Sequence, residues 1–145
     1  MIEELSTGPL SGDLLRVFGY STWMPTEGKT AERVQYQMRN EAARLLVFRD
    51  KGGREIGCIS YEMDGSTMII ANIAVEIADR GRGIGRALID EAIRRGDPRI
   101  VELETDDESR GFYERIGFRT DSIEEPGGSM GRYRCSFEPA GLPVA

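Results

Sequence analysis

The chain has 145 residues, with 19 basic and 25 acidic side chains, 2 cysteines and no histidine. The net charge of −6 argues against nucleic acid or an anionic membrane as a partner held by bulk charge, and a neutral or cationic small substrate fits better. Two cysteines without histidine cannot complete a zinc site, so no metal site is expected. The length and composition are those of one globular domain over residues 1–145.

The first third of the chain predicts two helices and then a β-hairpin. The first helix covers residues 10–19, and Pro25 opens a second helix over 26–40, because proline is accepted in the first helical turn. Two apolar runs, 44–50 and 54–63, flank a Lys-Gly-Gly turn, which is typical of two paired strands.

Among the predicted strands, the central one is indicated most clearly by the sequence. Residues 67–75 are apolar at nearly every position, which predicts a strand buried on both faces. A short Asp-Gly-Ser turn joins it to the hairpin. If Met63 pairs with Thr67, Glu55 falls opposite Val75, near the end of the central strand.

The second half of the chain alternates helices and strands. After the central strand the apolar period becomes helical, which predicts an amphipathic helix from Ile84 that ends in two arginines and Gly96. The remaining predicted elements are a strand over 99–105, a short helix over 106–117, and two closing strands over 118–125 and 131–138.

The sequence carries no sign of export or membrane insertion. Its longest uncharged apolar run, residues 67–75, is far shorter than the roughly 20 residues of a bilayer span. The first ten residues lack the basic start and apolar stretch of a signal peptide. We therefore expect a cytoplasmic protein with no membrane partner, in which Cys58 and Cys135 are reduced core thiols.

A glycine-rich segment lies between the central strand and the next helix. Residues 80–85 read Arg-Gly-Arg-Gly-Ile-Gly, so three backbone positions have no Cβ to keep an anion away. The amides and the dipole of the following helix favour a pyrophosphate there, and arginine side chains add positive charge. The segment lacks the Gly-Lys-Ser/Thr of a P-loop and the third glycine of the dinucleotide fingerprint. A plain surface connection is the structural alternative.

Two motifs resemble the GNAT family of N-acetyltransferases. Arg80, Gly83 and Gly85 match the family's cofactor loop, in which arginine or glutamine is followed by two residues, glycine, one residue, and glycine or alanine. Residues 112–118, Phe-Tyr-Glu-Arg-Ile-Gly-Phe, resemble the family's helix-to-strand segment, with a tyrosine four residues before Gly-Phe. The resemblance covers residues 67–118 closely and the N-terminal third only by the order of its elements.

The resemblance implies a fold and a cofactor. The implied fold is α/β (α+β), with a mixed, mostly antiparallel sheet of six to seven strands, about four helices, and strands 4 and 5 splayed apart. Acetyl-CoA would lie in that splay and bind Ile73, Val75, Arg80, Gly81, Arg82, Gly83, Ile84, Gly85, Arg86, Asp106, Ser109 and Phe112. Asp106 departs from the family's asparagine, and an N-cap explains it equally well.

The implied reaction moves an acetyl group to a primary amine of a small molecule or peptide by direct attack. The resemblance assigns the leaving thiolate's proton to Tyr113, whose alternative role is packing. Without histidine, the general base is a carboxylate, a water relay, or nothing beyond solvent. Glu104 is favoured over Glu76 and Glu102, although a solvated strand explains these acids too.

The acceptor, the assembly and the activity itself are less constrained. The acceptor pocket would involve Trp23, Met24, Tyr36 and residues 124–133. The chain would act as a monomer or homodimer. The alternatives to an enzyme are a non-catalytic acyl-CoA sensor or interaction module, and an α/β domain that binds another phosphate ligand.

Overall fold

A seven-stranded sheet organises the part of the chain that the structure describes. The computed structural model describes residues 1–5, 11–20, 42–123 and 131–139, together with Glu32. The strands are β1 (Ile2–Glu4), β2 (Ala43–Arg49), β3 (Glu55–Asp64), β4 (Thr67–Val75), β5 (Ile100–Asp106), β6 (Arg119–Ile123) and β7 (Arg132–Phe137). The helices are α1 (Gly12–Gly19), α2 (Ile84–Gly96) and α3 (Asp107–Arg115), with a 3₁₀ turn at Ile77–Asp79.

The strand order is β1-β2-β3-β4-β5-β7-β6. All neighbours are antiparallel except β4 and β5, which run parallel, so the expected mixed and mostly antiparallel fold is confirmed. Strand β1 was not among the predicted elements, because it is too short for a periodic signal; it pairs with β2 through Ile2 and Phe48.

The expected splay between β4 and β5 is present. The two strands pair only between residues 67–69 and 100–102, although both continue beyond that point. From residue 103 onward β5 pairs only with β7 among the described strands. The backbone of β4 over 70–75 therefore presents unpaired amides and carbonyls toward β5.

The register of β3 and β4 differs from the expected one. Asp64, and not Met63, pairs with Thr67, so β3 continues one residue further than expected and the turn has two residues. Gly57, and not Glu55, lies opposite Val75. Glu55 instead pairs with β2, at the edge of the hairpin.

A bulge at Ala71 accounts for part of this shift and also reverses the faces of β4. Before the bulge, Met68 and Ile70 belong to the core beneath α2. After it, Ile73 and Val75 pack against that same core, and the alternate positions face α1. Because one inserted residue exchanges the two faces of a strand, the bulge keeps apolar residues on the α2 side along the whole strand.

The helices are positioned by local capping and by their apolar faces. Ser11 caps α1, because its hydroxyl accepts from the amide of Leu14, so the helix begins at Gly12 and not at residue 10. Leu88 and Ala92 of α2 are fully buried against the sheet. The predicted helix over 26–40 lies outside the described residues, apart from Glu32.

Cys58 and Cys135 are both free and buried, as expected. None of the helices that the structure describes is long and apolar enough to cross a membrane. Within the same residues, no three potential ligands cluster as a metal site would require.

Candidate functional site

The glycine loop that follows β4 has a left-handed backbone. Gly81 and Gly83 have φ angles of 81° and 83°, where L side chains are strained. A Cβ at either position would meet no atom within 4 Å, so their conformation, and not lack of space, requires glycine. Gly83 is the N-cap of α2 and has no side chain to cap it.

The first turn of α2 presents free backbone amides. The first helical hydrogen bond runs from the amide of Ala87 to the carbonyl of Gly83, at 3.0 Å. By helix geometry the amides of Ile84, Gly85 and Arg86 have no acceptor within the helix. Together with the helix dipole, three converging N–H groups suit an anion such as a pyrophosphate.

Gly85 is needed for space. A Cβ there would lie 3.1 Å from Cζ of Phe112 and 3.8 Å from Cγ2 of Val75. Phe112 belongs to α3, so this contact joins the start of α2, the end of β4 and α3. The two sequence motifs, which lie far apart in the chain, thus meet at one place.

The arginines of the loop differ in their contacts. Arg80 turns back toward the sheet, where its Nε donates to the carbonyl oxygen of Val75 at 3.0 Å. Its guanidinium also lies over the ring of Tyr20, 5.3 Å from the centroid. Arg82 and Arg86 are about two-thirds exposed and make ion pairs with neighbours on their own segment. Their guanidinium groups are therefore accessible beside the start of α2.

A polar network joins α1 to the end of β4. Two nitrogens of Arg16 donate to Oε2 of Glu76, at 3.0 and 2.9 Å, and the hydroxyl of Tyr20 donates to Oε1 at 3.3 Å. The hydrogen bond to Glu76 raises the pKa of Arg16. Glu76, a candidate base, is thus already an acceptor for three donor groups.

Tyr113 is buried at the base of the site. Its ring makes edge-on contacts with Phe112 and Phe118, with centroids 5.1 and 5.6 Å apart. Burial raises the pKa of the phenol well above its usual range, and the nearby Cys135 and Asp106 act in the same direction. The hydroxyl therefore keeps its proton at neutral pH, and it makes no hydrogen bond to another residue that the structure describes.

Asp106 acts as the N-cap of α3. Its Oδ1 accepts from the backbone amide of Ser109 at 2.9 Å. The capping explanation that the sequence offered for Asp106 is therefore observed, and the amide of Ser109 is engaged by the same contact.

The acidic residues of β5 lie on one face, as the period of two predicted. Val101 and Leu103 are buried on the opposite face. Glu104 is about half-exposed and lies 3.7 Å from Arg132 of β7. Glu102 makes no ion pair within the described part of the chain.

A cavity of about 580 Å³ lies where β4 and β5 separate. The described residues that line it come from three strands: Ile69, Ile70, Ala71, Glu102, Leu103, Glu104, Arg132 and Arg134. Arg134 was not among the predicted site residues, although its alternation with Arg132 along a strand was a usable signal. Of the predicted acceptor residues, Trp23, Met24, Tyr36 and 124–130 lie outside the described residues.

Comparisons of the sequence and of the fold identify similar proteins. The family model for an acetyltransferase (GNAT) domain matches residues 41–120, more than half of the chain. No curated protein matches the sequence significantly.

Solved structures share the whole fold at low sequence identity. A GNAT family acetyltransferase from Elizabethkingia anophelis with acetyl-CoA bound has a TM-score of 0.69 and 18% identity, over 95% of this chain and 97% of that one. An IAA acetyltransferase from Bacillus cereus has a TM-score of 0.67 and 24% identity, over 95% and 98%. An aminoglycoside 6'-N-acetyltransferase complexed with coenzyme A has a TM-score of 0.77 and 15% identity, over 99% of each chain.

The family match spans the splayed strands, the left-handed glycine loop and the buried tyrosine helix, which are the same features that meet in the candidate site. The chain therefore belongs to the GNAT family of acetyltransferases.

Proposed function

We propose that the protein is an acetyl-CoA-dependent N-acetyltransferase that acts on a primary amine of a small molecule or peptide. The observation that carries this proposal is the unpaired edge of β4 leading into the free amides of α2. An open strand edge followed by an anion-binding helix start fits an extended amide chain that ends in a pyrophosphate, which is the shape of coenzyme A.

The backbone of Ile73 and Val75 would bind the pantetheine amides as an added strand. The carbonyl of Val75 already accepts from Arg80, but a carbonyl oxygen has a second lone pair. Gly81 and Gly83 set the loop's conformation, and the amides of α2 take the pyrophosphate. The remaining proposed contacts come from Arg82, Ile84, Gly85, Arg86, Asp106, Ser109 and Phe112.

Acetyl-CoA supplies a thioester, so that the amine nitrogen bonds to the acetyl carbon, the carbon–sulfur bond breaks with its electron pair on sulfur, and coenzyme A leaves as the thiol. Tyr113 would donate the proton that the sulfur needs, because burial keeps its phenol protonated. Phe112, next to Tyr113 in the chain, lies beside Gly85, as does Val75 at the end of β4, which supports placing Tyr113 at the end of the splay.

The acceptor ammonium must lose one proton to become a nucleophilic amine, and Glu104 would receive it at the cavity. The nitrogen releases a second proton when the amide forms, which balances the proton that Tyr113 donates to sulfur. Glu104 lines the cavity and is half-exposed, whereas Glu76 is held by Arg16 and Tyr20. This difference favours Glu104, with Glu102 or a water relay as the alternative.

Both cysteines are free, which suits a reducing compartment and supports a cytoplasmic enzyme.

The first test is calorimetric titration with acetyl-CoA, coenzyme A and ATP, followed by thiol release with a panel of amines. Micromolar binding of both coenzyme A species, none of ATP, and amine-dependent thiol release would support the proposal. Tyr113→Phe should lower turnover at least tenfold and leave acetyl-CoA affinity unchanged. Binding of acetyl-CoA without thiol release for any amine would favour a non-catalytic sensor. Such a sensor is also compatible with the ion pairs that Glu76 makes with Arg16 and Glu104 makes with Arg132.

A further inference from the structure

The cavity at the splay carries both signs of charge in a defined arrangement. Glu102 and Glu104 project from β5, and Arg132 and Arg134 project from the neighbouring β7. Residues paired across an antiparallel ladder share a face, so all four side chains belong to the same open face of the sheet.

Only one acid and one base of the four neutralise each other. Glu104 and Arg132 form the ion pair at 3.7 Å. Glu102 and Arg134 make no ion pair with any residue that the structure describes. Asp121 of β6 lies opposite Arg134 on the same face, but its carboxylate is paired with Arg119 at 3.5 Å, so one carboxylate and one guanidinium remain available. Glu104 pairs with Arg134 across the ladder, which makes Glu102 and Arg134 diagonal neighbours with backbones about 7–8 Å apart.

The floor of the cavity is apolar. Ile69 is 41% exposed, which is unusual for isoleucine in a sheet, and Ala71 is exposed at the bulge. Ile69 forms the last pair between β4 and β5, with Glu102, and Ala71 follows two residues later at the point where the strands separate. An exposed apolar surface beside an unpaired carboxylate and an unpaired guanidinium favours a ligand with a hydrophobic part and two opposite charges.

We propose that this cavity selects a zwitterionic acceptor, an α-amino acid or similar compact amino carboxylate with an apolar side chain. This inference rests on the proposed acetyltransferase function and specifies its substrate class. Glu102 and Glu104 receive the ammonium group beside the splay, where the thioester would lie. Arg134 takes the carboxylate, and Ile69 and Ala71 contact the apolar side chain. A polycationic acceptor would place positive charge against Arg132 and Arg134, which opposes its binding.

The test compares four probes on the full chain saturated with coenzyme A. They are L-leucine, L-leucinamide without the carboxylate, 4-methylpentanoate without the amine, and 1,4-diaminobutane as a dication. Calorimetry should give L-leucine at least tenfold tighter binding than each of the other three. Arg134→Gln should weaken leucine binding at least tenfold and leave leucinamide within twofold.

Arg99→Gln is the matched control, since Arg99 is exposed just before β5, makes no ion pair in the described part of the chain and lies outside the cavity lining. It should leave all four affinities within twofold. The inference is overturned if leucinamide or diaminobutane binds as tightly as leucine, or if Arg134→Gln weakens leucine and leucinamide equally.

Thiol release from acetyl-CoA, measured with the same probes, separates this inference from the function on which it rests. Leucine binding that depends on Arg134, without thiol release for any amine, would support the zwitterion-binding site and contradict the proposed acetyltransferase activity. Thiol release with diaminobutane but not with leucine would support the acetyltransferase activity and contradict the zwitterion-binding site.

Discussion

The left-handed backbone at Gly83 makes a quantitative prediction. Replacing this glycine with alanine adds a Cβ that meets no atom within 4 Å, so sterics with neighbours contribute nothing. The cost is backbone strain, about 1–2 kcal/mol for an L residue in the left-handed region. Alanine also stiffens the unfolded chain, which offsets about 0.4–1 kcal/mol of that strain.

Gly12 provides the matched control. A Cβ at Gly12 also meets nothing within 4 Å, but this residue lies in α1 with a negative φ. Gly12→Ala is therefore stabilised by the stiffer unfolded chain, and it introduces no backbone strain into the folded state. Because that gain is common to both variants, the difference between their unfolding free energies isolates the strain, at about 1–2 kcal/mol. For a chain of this size, each 1 kcal/mol corresponds to a shift in melting temperature of about 3–5 °C.

Urea denaturation of Gly83→Ala, Gly12→Ala and Gly83→Asn measures these free energies. Asparagine tolerates the left-handed region and is a good N-cap, so Gly83→Asn should recover most of the loss. Equal stability of the two alanine variants within about 0.5 kcal/mol would refute the left-handed loop, and with it the arrangement of amides at the start of α2.

Three further predictions concern the cofactor loop, the base and a buried thiol. Arg80→Ala, which removes the hydrogen bond to Val75, should weaken acetyl-CoA binding about fivefold in calorimetry, while Arg99→Ala at the opposite end of the sheet should not. Glu104→Gln should remove the acidic limb of the pH profile of kcat, and an unchanged profile would dismiss Glu104 as the base. Burial, and secondarily Glu55, raises the pKa of Cys58 from 9.0 to about 12, so this thiol stabilises the fold fully below pH 9 and loses that contribution as pH rises toward 12. The stability gap between wild type and Cys58→Ala should therefore narrow by about 1 kcal/mol between pH 8 and 10 in urea denaturation, and a constant gap would contradict the assignment.

Local patterns predicted the elements that surround the site. The bounds of β4 matched the apolar run, and α2 began and ended where the glycines and arginines indicated. These features depend on neighbouring residues only, because periodicity, caps and left-handed glycines act within a few positions of the chain. The same locality explains why Asp106 was foreseen as a possible N-cap.

Errors arose where residues distant in sequence decide the outcome. The bulge at Ala71 has no signature in an apolar run, because it is selected by which face of β4 must meet α2. The short strand β1 is stabilised by its partner and not by its own pattern.

The sequence by itself determined the type of site: a buried strand, a left-handed glycine loop and a helix start that together suit a pyrophosphate. Only the tertiary structure decided that Phe112 closes on Gly85, that Arg80 turns back to Val75, and that Arg134 faces the acids of β5. Each of these contacts joins segments that are separate in the chain, and packing and strand pairing, which no local pattern encodes, bring them together.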